Sequence, residues 1–146
     1  MFVFAYHALL LIHVACFAIW MGAIVASSLV VRTFEPRLTK PDGLASDGEL
    51  LRAYIRHEVK LVDVVFLGLM ISGIALAHFY LGWNTWVFLK IGLFIAQFAA
   101  TMGFIFLGIR PITYPCTPAT YRRWYQLFGV SFSFFAVTLL VVYFGR

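Results

Sequence analysis

The sequence predicts an all-α integral membrane protein, an up-down-up-down four-helix bundle that forms one domain over residues 1–146. Hydrophobic residues make up 63% of the chain and charged residues only 12%, so a soluble domain of this length would have too little polar surface. Four charge-poor runs each reach the length of about 20 residues that a helix needs to cross a bilayer. The predicted spans are 3–31, 60–81, 86–109 and 122–144.

The first predicted span has no charged residue before Arg32 and carries His13, Trp20 and Gly22. A cleavable signal peptide is the alternative interpretation of this run. The run lacks a basic stretch at its start, and it is about twice as long as the usual apolar region of about 7–15 residues in such a peptide. A membrane-spanning helix is therefore the favoured interpretation.

The connections between spans differ in character. The segment 33–51 contains Pro36, Pro41 and two Asp-Gly pairs, which predict a turn-rich loop on the membrane surface and then a short amphipathic helix. The segment 82–86 predicts a tight turn with two Trp at the headgroup level. Before the fourth span, Thr117 or Thr120 is the expected helix cap.

Basic residues are concentrated in the first and third connections and are absent from the second. Because Lys and Arg stay on the cytoplasmic side during insertion, both termini are expected outside, in the periplasm of a bacterial cytoplasmic (inner) membrane. Anionic lipid headgroups and this asymmetry explain the net charge of +5, so no nucleic-acid partner is predicted. Short connections favour antiparallel neighbours. Close approach of the helices is expected at three pairs of small residues, Gly22/Ala26, Gly68/Ser72 and Gly129/Ser133.

His13 is the most informative polar residue, because an imidazole in hydrocarbon must be hydrogen-bonded or bound to a metal. One interpretation is a bond to a backbone carbonyl or to Gln97, and the other is cofactor ligation. Helix rise places His57 roughly 20 Å or more from His13 in depth, too far for both to ligate one haem. Pairs of His78 with His13 or with His7 remain open, whereas His7 and His13 lie about 120° apart on one helix.

Two further groups of polar residues are candidates for binding. Lys90, Gln97 and Thr101 share one helical face that is expected to point into the bundle, where Lys90 either reaches the headgroups or pairs with an anion. At the cytoplasmic end, a cluster of charges either is neutralised internally, as by Lys60 and Asp63, or binds an anionic substrate. Its candidate contacts to a substrate or a propionate are Arg52, Arg56, His57 and Lys60, and Gln97 on the third span is a further candidate.

These residues fit a known pattern. His13-x6-Trp20 followed by Gly22, then Arg32, then Gly73-Ile74-Ala75, then Trp86-x3-Lys90 resembles the small four-helix proteins of the HemJ-type protoporphyrinogen oxidase group. CopD-like membrane domains share the first part of this pattern.

The resemblance implies a haem b protein that oxidises protoporphyrinogen IX and passes the electrons into the membrane. By position, His13 matches the family's first-helix histidine, a haem ligand, and Lys90 its third-helix lysine. The family's third helix also carries a histidine two residues before that lysine and another further on. Here Phe88 and the 97–99 segment stand at those places.

The residues and the resemblance together predict a haem-binding redox protein. His13 and His78 are the expected metal ligands, Trp20 and Lys90 further cofactor contacts, and porphyrinogen the expected substrate. The alternatives are a CopD-like copper-handling protein and an accessory subunit of a larger membrane complex. Sixteen Phe residues also fit contacts with a second copy or such a complex.

Overall fold

The computed structural model describes residues 2–144 and confirms the all-α fold. All four helices are long and apolar enough to cross a membrane, so the chain is a multi-pass membrane protein. A π-helical segment, Ala77–Leu81, continues the second helix. The helices are α1 Phe2–Thr39, α2 Ala45–Leu76, α3 Thr85–Gly108 and α4 Pro118–Phe144.

α1 packs against α2 as an antiparallel neighbour. Tyr6 of α1 contacts Tyr80 just beyond α2, whereas Ser27, much further along α1, contacts Tyr54 near the start of α2. α4 packs against both α3 and α1. We call the end that holds the 82–84 turn the terminal end, and the end that holds the connections 40–44 and 109–117 the basic end.

The helix α1 continues well past the predicted span, which corrects the expectation of a surface loop over 33–51. It runs through Pro36 to Thr39, and α2 already begins at Ala45. With 38 residues, α1 is about 57 Å long, nearly twice the bilayer core of about 30 Å. Turn signals were overridden by tertiary packing, since Leu38 is fully buried in a core at the basic end.

That basic-end core joins four segments of the chain. Val31 and Leu38 of α1 meet Leu51 of α2, Ile112 of the third connection and Tyr121 of α4, all with at most 1% of their surface exposed. The connection is tied to α1 by a backbone hydrogen bond, in which the Cys116 amide donates to the Leu38 carbonyl at 2.9 Å.

The tight turn predicted before the third span and the cap predicted for the fourth span are both present, and the structure adds a cap at Asn84. Gly82 adopts φ 72°, a left-handed conformation that glycine reaches without strain, and Asn84 caps α3 by accepting from the Val87 amide at 3.0 Å. At the start of α4, the Thr117 hydroxyl accepts from the Thr120 amide at 3.4 Å. Thr117 is therefore the cap of the two candidates.

Candidate cofactor site at His13

The His13 imidazole is held by α2. Its Nδ1 lies 3.2 Å from the Leu69 carbonyl oxygen and 3.1 Å from Ser72 Oγ. The Ser72 hydroxyl donates at 2.6 Å to the carbonyl of Gly68. We call Leu69, Ser72 and Gly73 the His13 seat.

These partners decide the tautomer of His13. A carbonyl oxygen only accepts hydrogen bonds, and the single hydroxyl proton of Ser72 is directed to Gly68. Nδ1 therefore carries the proton, and in the neutral ring Nε2 keeps its lone pair. A carbonyl bond at Nδ1 is the usual way in which proteins orient a metal-ligating histidine. Both interpretations of His13 are thus compatible, because one nitrogen is bonded and the other is available.

Two glycines allow α1 to approach α2 this closely. A Cβ at Gly73 would lie 2.9 Å from His13 Cε1, and a Cβ at Gly68 would lie 2.8 Å from Cys16 Sγ. Real Cβ atoms do not tolerate such distances, so a side chain at either position would displace its neighbour. Of the three predicted small-residue pairs, Gly68/Ser72 makes the close approach. Gly22 and Gly129 have no such neighbour within 4 Å.

Trp20 lies at the centre of an aromatic cluster that joins all four helices. It is 7% exposed, and its ring centroid lies 5.0 Å from Phe135, 5.8 Å from Phe66 and 5.8 Å from Phe94. Such edge-to-face contacts stabilise beyond area burial, each by roughly 0.5–1.5 kcal/mol. The cluster fills the bundle interior about two helical turns from His13. A planar cofactor bound by His13 would therefore lie at the level of His13 and not within this cluster.

Lys90 is the cation that the structure places near His13. It is half-buried, its Nζ lies 5.3 Å from the Trp86 ring centroid, and its charge acts on His13. This cation-π contact holds the ammonium against the indole ring at the start of α3. Lys90 is thus the predicted site residue whose charge reaches His13.

The predicted polar face of α3 points into the bundle. Gln97 is only 3% exposed, and Thr101 Oγ1 is buried without a hydrogen-bond partner among residues 2–144. Phe94, on the same face, belongs to the Trp20 cluster. Of the two partners expected for a hydrogen-bonded His13, the structure shows a backbone carbonyl, that of Leu69, and not Gln97.

His78 and His7 lie nearer the terminal end than His13. His78 is exposed on the π-helical segment with its ring against Phe79, and His7 packs edge-on against Tyr6. Six residues, or about 9 Å of helix rise, separate His78 from Ser72 of the His13 seat. The ligation of His78 stays a prediction.

The candidate substrate contacts lie at the other end of the molecule. Arg52, Arg56 and Lys60 are exposed, and His57 Nδ1 lies 2.7 Å from the Ala53 carbonyl oxygen. Arg56 is 17 residues from Gly73 on the same helix, or about 25 Å. These cations are therefore separate from the His13 seat and face a different aqueous side.

Two features of the basic end were not predicted from the sequence. The Tyr125 hydroxyl donates a short hydrogen bond to the Glu35 carboxylate, joining α4 to α1. Cys116 is buried beside Thr117, and burial raises the pKa of its thiol, so at neutral pH it is a protonated core residue. Glu35 and Pro36 lie in a segment whose sequence predicted a loop. Glu35 and Tyr125 are 90 residues apart in the chain, and no sequence pattern predicts a contact at that separation.

No group of three or more His, Cys, Asp or Glu side chains within residues 2–144 is arranged to hold a metal ion. A haem needs only one or two axial protein ligands, and His13 with a free Nε2 fits one of them. Comparisons with family models, curated proteins and solved structures gave no match to this chain.

Proposed function

We propose that the chain is a haem-b-binding redox protein of the bacterial cytoplasmic membrane, in which His13 supplies an axial ligand. The observation that carries this proposal is the geometry at Nδ1, which fixes the ring and leaves Nε2 available. His13 is also only partly buried, so part of its surface is accessible.

The residues around His13 suit the remainder of a haem. Lys90 would hold a propionate at the headgroup level, and the apolar surface of α1 and α2 would contact the macrocycle. The haem would supply one-electron transfer, and oxidation of a porphyrinogen is the reaction that the family resemblance suggests. The chain itself fixes the ligand ring, pairs the propionate and excludes water from the Trp20 cluster.

Absorption spectra of the purified protein with and without dithionite test this proposal. We expect a Soret band and a reducible α band in the wild type, and loss of haem from His13→Ala. His7→Ala is the matched control because His7 lies on the same helix, nearer its end, and should retain the bands. A changed haem spectrum in His78→Ala would indicate that the second axial ligand comes from the π-helical segment.

Three outcomes contradict the proposal. An unchanged spectrum in His13→Ala removes this residue from the ligand set. A colourless protein that binds copper indicates the copper-handling alternative. A colourless and metal-free protein indicates an accessory subunit of a larger complex.

A further inference from the structure

A second candidate site lies between α1 and α2 in the half of the bundle nearer the basic end. It is a groove of about 410 Å³, a volume in the range of about 300–1,000 Å³ that is typical of small-molecule sites. Its floor is formed by Gly22, Ala23 and Ala26 of α1. Nothing lies within 4 Å of a Cβ built at Gly22, so this floor is flat and unobstructed.

The groove opens sideways from the helix pair. Ile19 and Leu61, which line it, are 45% and 47% exposed and are apolar. A side chain with this exposure in a membrane-spanning helix faces lipid. A ligand of the groove therefore arrives from the bilayer and must be lipid-soluble.

Hydrogen-bond acceptors stand along the α2 side of this apolar groove. The His57 Nδ1 bond to the Ala53 carbonyl, at 2.7 Å, requires Nδ1 to donate, so the neutral ring offers Nε2 as an acceptor. Glu58, the next residue, is half-buried and also lines the groove. The Ser27 hydroxyl is 1% exposed and lies 3.4 Å from the Tyr54 hydroxyl. The lining of the groove thus includes one carboxyl group and one imidazole.

We propose that this groove binds the ring of a lipid-soluble hydroquinone. The flat ring lies on the Gly22–Ala26 floor, and its hydroxyl groups donate to the Glu58 carboxyl and to His57 Nε2. A hydroxylated ring with an apolar tail matches all three properties of the groove, namely lateral access, a flat apolar floor and adjacent acceptors. Phe17 and Phe66 separate the groove from His13 along both helices, so the two sites are distinct.

Two other occupants fit these observations less well. An acyl chain fills the apolar floor but forms no hydrogen bond with Glu58 or His57. A helix of a second copy has its backbone donors satisfied internally and offers none to Glu58. The hydroquinone is the occupant that donates while remaining soluble in lipid.

Titration calorimetry of the protein in lipid nanodiscs, with a decyl-tailed benzohydroquinone as the probe, tests the proposal. We expect saturable binding that Glu58→Gln and His57→Phe each weaken by about tenfold, the loss expected for one hydrogen bond to a charged or strongly accepting group. Gly22→Leu should abolish binding by filling the floor. Gly92→Leu is the matched control, since it also adds a side chain where nothing lies within 4 Å but on α3.

Several results overturn the proposal. Equal affinity for plain decanol indicates an acyl-chain groove, and unchanged binding in Gly22→Leu places the hydroquinone elsewhere. A change from dimer to monomer in Gly22→Leu indicates contact with a second copy. Hydroquinone binding by a colourless protein supports this inference while contradicting the haem proposal, so the two can fail separately.

Discussion

Among single residues, His13 shows how a neighbouring helix determines which nitrogen of an imidazole ring carries the proton. The residue stands out in the sequence because it interrupts an apolar run. Its partners do not stand out, since Leu69 contributes only a backbone oxygen and Ser72 is one of many small residues. The proton on Nδ1 follows from those partners alone.

Gly73→Ala should disturb the His13 seat. Its Cβ would lie 2.9 Å from His13 Cε1, so we expect a loss of about 1–3 kcal/mol in the free energy of unfolding, as for other overpacked sites. Equilibrium unfolding in mixed micelles measures the loss. Gly92→Ala corrects for the gain in helix propensity, because its Cβ meets nothing within 4 Å. Equal stability of the two variants would mean that the close approach at Gly73 is absent.

At the scale of elements, the basic end of α1 owes its helical state to tertiary contacts. Pro36 removes one helical hydrogen bond, and a proline inside a helix costs about 3 kcal/mol. Burial of Leu38 and the bond from Tyr125 to Glu35 offset this cost. Thr39 adds a side-chain bond to the Glu35 carbonyl at 2.7 Å.

Tyr125→Phe should therefore loosen the contact between α4 and the basic end of α1. Removing a hydrogen bond to a charged group costs about 1.5–3 kcal/mol, so we expect a loss of unfolding free energy of that size. Faster amide hydrogen exchange over residues 32–39 would locate the effect in α1. Tyr143→Phe is the control, since Tyr143 is 78% exposed and should change neither quantity. Identical exchange in both variants would show that the bond does not hold α1.

At the scale of the whole molecule, the fold separates two polar sites along one helix pair. The His13 seat lies toward the terminal end and the hydroquinone groove toward the basic end, with aromatic rings of the Trp20 cluster between them. Exposed apolar side chains cover the outer faces of all four helices, as a lipid environment requires.

The orientation of the bundle can be tested in whole cells. With Cys16 and Cys116 replaced by Ala, a membrane-impermeant maleimide should label Asn84→Cys and not Asp42→Cys, because the basic connections are expected in the cytoplasm. Labelling of both variants after permeabilisation is the control for accessibility. Labelling of Asp42→Cys alone in intact cells would mean that the bundle has the opposite orientation to the predicted one.

The amino-acid sequence alone predicted the fold class, the four spans, the tight turn over 82–86 and a helix cap at Thr117 or Thr120. These features depend on composition, periodicity and local turn chemistry, which are properties of adjacent residues. The start of α3, at Thr85, lies one residue from the predicted span. Local chemistry also singled out His13, Lys90 and Gln97, because polar groups in an apolar run are conspicuous.

Which of these residues contact one another depends on how the helices pack. The helical extension of α1 to Thr39, the seat of His13 and the neighbourhood of Glu58 each depend on segments far apart in the chain. Glu58 stood in the sequence among exposed charges, and packing placed it beside Ser27 in an apolar groove. Hydrophobicity can be read from the sequence of one segment. Burial and hydrogen bonding depend on which two segments pack together, and a local sequence pattern does not specify that pairing.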